Sequence, residues 1–153
     1  VLALSLAGAW GGAEVHAVDL SPDALALAAE NAVALGLESR VVFHEGSLLG
    51  PLSGEFGLVV ANLPYVPTSE IPGLAREVQH DPALALDGGP DGAELIRALI
   101  LEARAHLKGL LALEIGNDQS AFLAEALAAA GYHSISQETD YSGRNRFLFA
   151  AYG

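Results

Sequence analysis

The sequence predicts a doubly wound α/β fold: a mostly parallel sheet with a C-terminal antiparallel hairpin. Three observations carry that expectation. Short apolar runs alternate with helix-like segments along the chain, the pattern of βα units feeding a parallel sheet. One run, Phe56-Gly57-Leu58-Val59-Val60-Ala61, is apolar almost throughout, as a strand covered on both faces should be. The last two strand-like runs are joined through Asp140-Tyr141-Ser142-Gly143-Arg144-Asn145, too short for a crossover, so they should pair antiparallel.

The elements follow in order. Leu2–Ala9 is helix-like, and Val15-His16-Ala17-Val18-Asp19 reads as a short buried strand ending in an acid. The next helix is punctuated at both ends, with Ser21 as N-cap, Pro22 at the first helical position and Gly36 beyond the last turn. Its Leu25, Ala28, Ala29, Ala32 and Leu35 fall on one face. A strand is expected at 41–44, a loop at 45–55, and then the strand that ends at Asn62. Residues 66–90 carry Pro67, Pro72, Pro82 and Pro90 with little periodicity. Connections in compact domains usually run about 4–6 residues, so this segment reads as a substrate-facing loop, with a short helix near 71–78. Asp91 and Glu94 have capping-box spacing for a helix over 93–106. A buried strand at 110–115, a helix at 119–130 stopped by Gly131, and strands at 133–138 and 146–151 complete the pattern.

At 153 residues the chain is expected to be a single domain, 1–153, large enough to bury a real core. No apolar run reaches the roughly 18 residues of a membrane span, and the expected setting is cytoplasmic. The absence of cysteine excludes disulfides and thiolate metal sites. His16, His44, His80, His106 and His133 show no paired metal-ligand spacing and read as surface or strand-flanking residues, so no metal is expected. Nineteen acidic against seven basic residues give a net charge of −12, which repels a phosphate backbone and makes nucleic acid a poor first guess. The chain has no methionine and opens on Val1 inside a helix-like segment, so it is expected to be the C-terminal part of a longer protein.

Ligand sites in open α/β sheets lie at the carboxyl ends of strands. Asn62-Leu63-Pro64-Tyr65 stands at such an end. Its amide, backbone carbonyls and aromatic ring suit a flat, amino-bearing group, although a strand followed by a plain Pro-Tyr turn has the same sequence. Asp19 also ends a strand before a capped helix. In nucleotide-binding α/β folds an acid here accepts hydrogen bonds from ribose hydroxyls, about 20 residues after a glycine-rich turn. Counting back from Asp19 lands before Val1, so that turn and its strand are expected outside this chain. The alternative is an ordinary helix-flanking acid. Glu45-Gly46-Ser47 ends the next strand, with a plain turn as the competing reading.

Taken together, Asn62-Leu63-Pro64-Tyr65, Leu86-Asp87-Gly88-Gly89-Pro90-Asp91-Gly92, Leu113-Glu114-Ile115-Gly116 and Gly143-Arg144-Asn145-Arg146 occur in this order and at these distances. The chain thereby resembles the HemK-type peptide-chain release factor glutamine methyltransferases, also called PrmC, across nearly its whole length. Ala17-Val18-Asp19-Leu20-Ser21-Pro22-Asp23-Ala24 adds to the match. The resemblance implies a Rossmann-like class I fold using S-adenosyl-L-methionine, and a catalytic domain truncated on its N-terminal side. It implies that the substrate is the glutamine of the Gly-Gly-Gln loop in a release factor, the expected protein partner. It assigns Asn62, Leu63, Pro64 and Tyr65 to catalysis, and Asp19, Leu20, Gly46, Ser47 and Asn62 to the cofactor, Gly46 and Ser47 lying where the adenine amino group is often met. No general base is obvious. Leu63 stands where the family usually has proline, which keeps the carbonyl and loses the ring's rigidity. Asp81-Pro82 replaces a more usual Glu-Pro, and Lys108-Gly109 a Pro-Gly.

Two other readings compete. Asn-Leu-Pro-Tyr is also the form in ribosomal RNA adenine dimethyltransferases, where the ring stacks on a base and the clamp takes an adenine amine, so N6-adenine methylation of ribosomal RNA or DNA is the rival; a glutamine methyltransferase acting on a ribosomal protein has the same motifs. A chain lacking its cofactor loop is alternatively an inactive fragment, expected to be less stable than the full protein and to bind cofactor poorly. Glu114 borders the cofactor pocket or is a solvated strand-end carboxylate, Trp10 is expected over the end of its helix, and Arg144 and Arg146 are expected to pair with acids of their own hairpin, with direct substrate contact as the alternative.

Overall fold

A computed structural model describes residues 1–75 and 82–153. The chain divides into two units, Val1–Ser53 and Gly54–Gly153.

In the first unit, α1 (Leu2–Ala9), β1 (Val15–Asp19), α2 (Pro22–Ala34) and β2 (Val41–Glu45) follow the expected order. The strands pair in parallel, in register from Val15↔Val41 to Asp19↔Glu45. The start of α2 forms as its sequence dictates: the Ser21 hydroxyl accepts the Ala24 N–H at 3.2 Å, and Pro22 opens the helix. At its end Gly36 adopts φ 67°. The Leu37 N–H returns to the Ala32 carbonyl and the Gly36 N–H to Val33, which closes the last turn and satisfies its carbonyls. This closure corrects the expected apolar face. Leu35 is the C-cap and 63% exposed, and Leu37 packs on the core instead. That core is small: Leu4, Ala7, Val15, Ala32 and Val41, with Ala17 and Phe43 beside them.

Alternation along the strands puts His16 and His44 on the opposite face. Their rings stack with centroids 5.1 Å apart, and Nδ1 of His16 lies 2.9 Å from Nε2 of His44. Two histidines read as scattered are therefore a pair. Trp10 caps α1 through its backbone, its carbonyl accepts from Arg40, and it is 53% exposed.

The second unit contains β3 (Phe56–Asn62), a 3₁₀ turn at Ile71–Gly73, α3 (Ala83–Leu86), α4 (Glu94–Ala103), β4 (Leu107–Glu114), α5 (Ser120–Ala129), β5 (His133–Thr139) and β6 (Asn145–Tyr152). Its sheet runs β3-β4-β6-β5. β3 and β4 are parallel, while β6 is antiparallel to both β4 and β5, as the short 140–145 connection requires. Ile96, Leu99 and Ile100 of α4 and Leu123 and Leu127 of α5 are buried, as are Leu107, Leu111, Leu113 and Leu148 of the sheet. Each such side chain contributes about 1.5–3 kcal/mol by leaving water.

Several expectations change here. β3 is an edge strand of its sheet, and only Val59 is fully buried, so it is not covered on both faces. α4 stops at Ala103, because the chain turns at 104–106 to start β4 at Leu107, earlier than expected. The capping box does not form. The Glu94 N–H donates to the Gly88 carbonyl at 3.0 Å, while the Asp91 carboxylate takes the Ala93 N–H and the Arg97 guanidinium. The helix expected near 71–78 is a 3₁₀ turn over Ile71–Gly73; Val78, His80 and Asp81 lie outside the described residues.

Candidate functional site

Asn62 is the last residue of β3, paired with Glu114 of β4, and its side chain is exposed. The Asn62 amide makes no hydrogen bond to any described residue. Leu63, Pro64 and Tyr65 are half-buried, and Tyr65 is held from two sides. Its carbonyl accepts from Gln119 Nε2 at 3.0 Å, and its hydroxyl accepts from Arg146 Nη1 at 3.2 Å. The Arg146 guanidinium carbon lies 5.5 Å from the ring centroid, within cation–π range.

Beyond Tyr65 the chain runs alongside residues 86–89. The Val66 N–H donates to Leu86, the Gly88 N–H to Val66 and the Thr68 N–H to Gly89, with a parallel bridge between Val66 and Asp87. This contact accounts for Gly88 and Gly92 of the Asp87–Gly92 stretch. A Cβ on Gly88 would stand 2.7 Å from the Pro64 carbonyl oxygen, and one on Gly92, at φ 74°, would collide with the Tyr65 carbonyl oxygen. Asp87 fastens the contact: its carboxylate accepts the Thr68 hydroxyl at 2.7 Å and the Gly89 N–H at 3.0 Å, which holds the carboxyl below the usual carboxylate range.

Gln119 is a residue that sequence reasoning missed, having been read only as a helix start. It is 6% exposed. Its Oε1 accepts the Gly116 N–H at 2.8 Å while its Nε2 donates to Tyr65, so one buried amide joins the exits of β3 and β4. The only signal in the sequence is a glutamine three residues after the glycine that follows a strand. Arg146 pairs with Asp140 of its own hairpin, Nε to carboxylate 3.8 Å, as expected, and also donates to the Ile115 carbonyl at 3.1 Å. Asp140 is itself held low, first by the Ser142 hydroxyl and then by the Arg144 N–H. The segments singled out around Asn62, Asp87, Glu114 and Arg146 therefore meet in one unit, and Glu114 is half-buried at the end of β4.

In the first unit Asp19 is exposed, with Oδ1 taking the Ser21 N–H at 2.9 Å. The carboxylate of Glu45, its register partner, is exposed as well. The Gly46 N–H donates to the Asp19 carbonyl at 3.0 Å, tying the two strand ends. A Cβ on Gly46 would stand 2.9 Å from Pro51 Cγ. Leu20 is 48% exposed and Ser47 is exposed. Carboxylate acceptors at adjacent strand ends are the chemistry that sugar hydroxyls need. Among the described residues no cluster of His, Asp and Glu is arranged to hold a metal ion.

The βα units with a terminal antiparallel hairpin are the fold of a class I methyltransferase. The fold is shared with the crystal structure of a ribosomal protein L11 methylase from Lactobacillus delbrueckii subsp. bulgaricus, at TM-score 0.72 and 23% identity, over 99% of this chain and 63% of that one. No family model matches the chain. A release factor glutamine methyltransferase of Moorella thermoacetica is 47% identical over 97% of the chain and 54% of its own length. A ribosomal protein uL3 glutamine methyltransferase of Bordetella pertussis is 40% identical over 79% of the chain and 42% of its own length. The chain belongs to the release factor glutamine methyltransferase family, and it spans about half the length of the curated relatives it matches.

Proposed function

We propose that the complete protein methylates the side-chain amide of the Gly-Gly-Gln glutamine in a peptide-chain release factor, in the cytoplasm, with S-adenosyl-L-methionine as cofactor. The observation that carries this reading is the exposed Asn62 amide, without a partner among the described residues, one residue before a backbone carbonyl that is likewise unpartnered among them and three before an anchored tyrosine. A carboxamide nitrogen is a poor nucleophile because its lone pair is delocalised into the carbonyl, the same resonance that flattens the group. The task of the protein is therefore to hold it.

Asn62 Oδ1 and the Leu63 carbonyl accept the two N–H hydrogens of the substrate amide. Pro64 fixes the turn, and Tyr65 packs on the amide plane and excludes water. Such positioning supplies several kcal/mol, up to about 7–11 in ideal intramolecular cases. The same acceptors stabilise the positive charge that grows on the nitrogen. No base is needed before the new N–C bond forms; the methyl's bond to sulfur breaks as it does, leaving a neutral thioether, and one N–H proton of the substrate then passes to solvent. S-adenosyl-L-methionine, when bound, supplies an electrophilic methyl group on a sulfonium sulfur. Asp19 fits its ribose hydroxyls through the carboxylate oxygen that Ser21 leaves open, with Leu20, Gly46 and Ser47 beside it in the same unit.

The test is mass spectrometry of a release factor incubated with S-adenosyl-L-methionine and the complete gene product. The expected result is one methyl group on the Gly-Gly-Gln glutamine. The uL3 relative makes ribosomal protein uL3 the comparison substrate. Methylation of uL3 alone would keep the chemistry and replace the partner, and methylation of neither would overturn the reading.

A further inference from the structure

Pro64 fixes one φ of the turn, but Leu63 lacks the ring that would stiffen the other, so the four residues alone do not hold the Tyr65 side chain. The fixing comes from elsewhere in the chain. Arg146 Nη1 has two hydrogens, and both are used: one on the Ile115 carbonyl at 3.1 Å and one on the Tyr65 hydroxyl at 3.2 Å. Asp140 faces the Nε edge of the same guanidinium at 3.8 Å. The fork is thus pinned to the exit of β4 and to the β5–β6 turn, and it presents the second Nη1 hydrogen to the tyrosine. A lysine has the charge and not the planar geometry. At the other end of Tyr65, the buried Gln119 amide accepts from Gly116 at 2.8 Å and donates to the Tyr65 carbonyl at 3.0 Å. Among the described residues no buried side-chain nitrogen or oxygen lacks a partner, so this bridge is satisfied throughout.

We propose that Arg146 and Gln119 are positioning residues: they lock the Tyr65 hydroxyl and carbonyl so that its ring and the adjoining Asn62–Leu63 acceptors meet a planar amide in one orientation. This rests on the glutamine reading above. Because the hydroxyl accepts from Arg146, its own hydrogen stays directed away from the guanidinium, whose carbon lies 5.5 Å from the ring centroid and helps fix the ring's tilt. Misplacing reacting groups by about 1 Å costs on the order of a hundredfold in rate, so a looser Tyr65 lowers kcat and leaves cofactor affinity alone.

The experiment is a double-mutant cycle in the complete gene product with Tyr65→Phe and Arg146→Lys, read as kcat for methylation of the release factor glutamine, cofactor Kd and melting temperature. Hydrogen exchange of the backbone amides in 62–66 is measured in parallel, with Gln119→Asn included. Each single variant of the cycle is expected to lose about tenfold or more in kcat, with cofactor Kd within about twofold. The double variant should lose no more than either single one, because Arg146 acts through the hydroxyl. Gln119→Asn and Arg146→Lys should both speed exchange in 62–66. Additive losses, or losses that follow cofactor affinity or melting temperature, would overturn the positioning role while leaving the substrate reading intact. A wild-type protein that methylates no glutamine, with exchange still quickened in the variants, would overturn the substrate reading and support the positioning role.

Discussion

Asn62 carries an exposed amide with no described partner, so replacing it removes no internal contact. Asn62→Ala is expected to lower methyl transfer by about 10²–10³-fold, the usual cost of one oriented polar group at a reacting centre. Cofactor affinity and melting temperature should stay near wild type, and equal losses in activity and binding would assign Asn62 a structural role. Gly92 is the opposite case. It sits at φ 74° with the Tyr65 carbonyl where a side chain would begin, so Gly92→Ala should destabilise by about 1–3 kcal/mol in chemical denaturation. The sequence displayed both residues inside recognisable motifs. It did not display Gln119, because an isolated glutamine acquires meaning only when the exits of two strands close around its amide.

Local chemistry made some elements legible. Ser21, Pro22 and Gly36 bound α2 within a residue of expectation, since caps act through neighbours in sequence. The capping box at Asp91 was misread because the partner of the Glu94 N–H is the Gly88 carbonyl, outside the spacing rule. The burial of β3 was overestimated because an apolar run does not reveal which strand lies at a sheet edge. The contact between 66–68 and 86–89 was not legible either, and it yields a pH-dependent expectation. The folded-state pKa of Asp87 is depressed, first by the Thr68 hydroxyl, so its support is present above the unfolded value of about 3.9 and is lost as pH falls through the folded one. The amide resonances of Thr68 and Gly89 should titrate together with a midpoint below about 3.9, and Asp87→Asn should flatten that titration.

At the scale of the whole molecule, the alkaline limit of the second unit depends on Tyr132. Its ring is 4% exposed, its hydroxyl donates to the Ile100 carbonyl at 2.9 Å, and burial pushes its pKa up to about 12. A folded value above the unfolded 10.0 means that stability is full below pH 10 and falls as pH rises toward 12. Alkaline unfolding followed by circular dichroism should be shallower between those values in Tyr132→Phe, which also loses about 0.5–1.5 kcal/mol at neutral pH with the hydrogen bond.

The strand order β3-β4-β6-β5 sets the sequence in which this protein takes shape as it is made. β5 precedes β6 in the chain, yet β6 lies between it and β4. A growing polypeptide therefore carries β5 for a time with no edge to join, and β4 with one side open, until 145–152 arrive and join both. These four strands thus do not zip in order of synthesis; β6 joins β4 and β5 in one insertion. The same insertion brings Arg146 to Tyr65, so the hold on the clamp tyrosine forms together with these four strands.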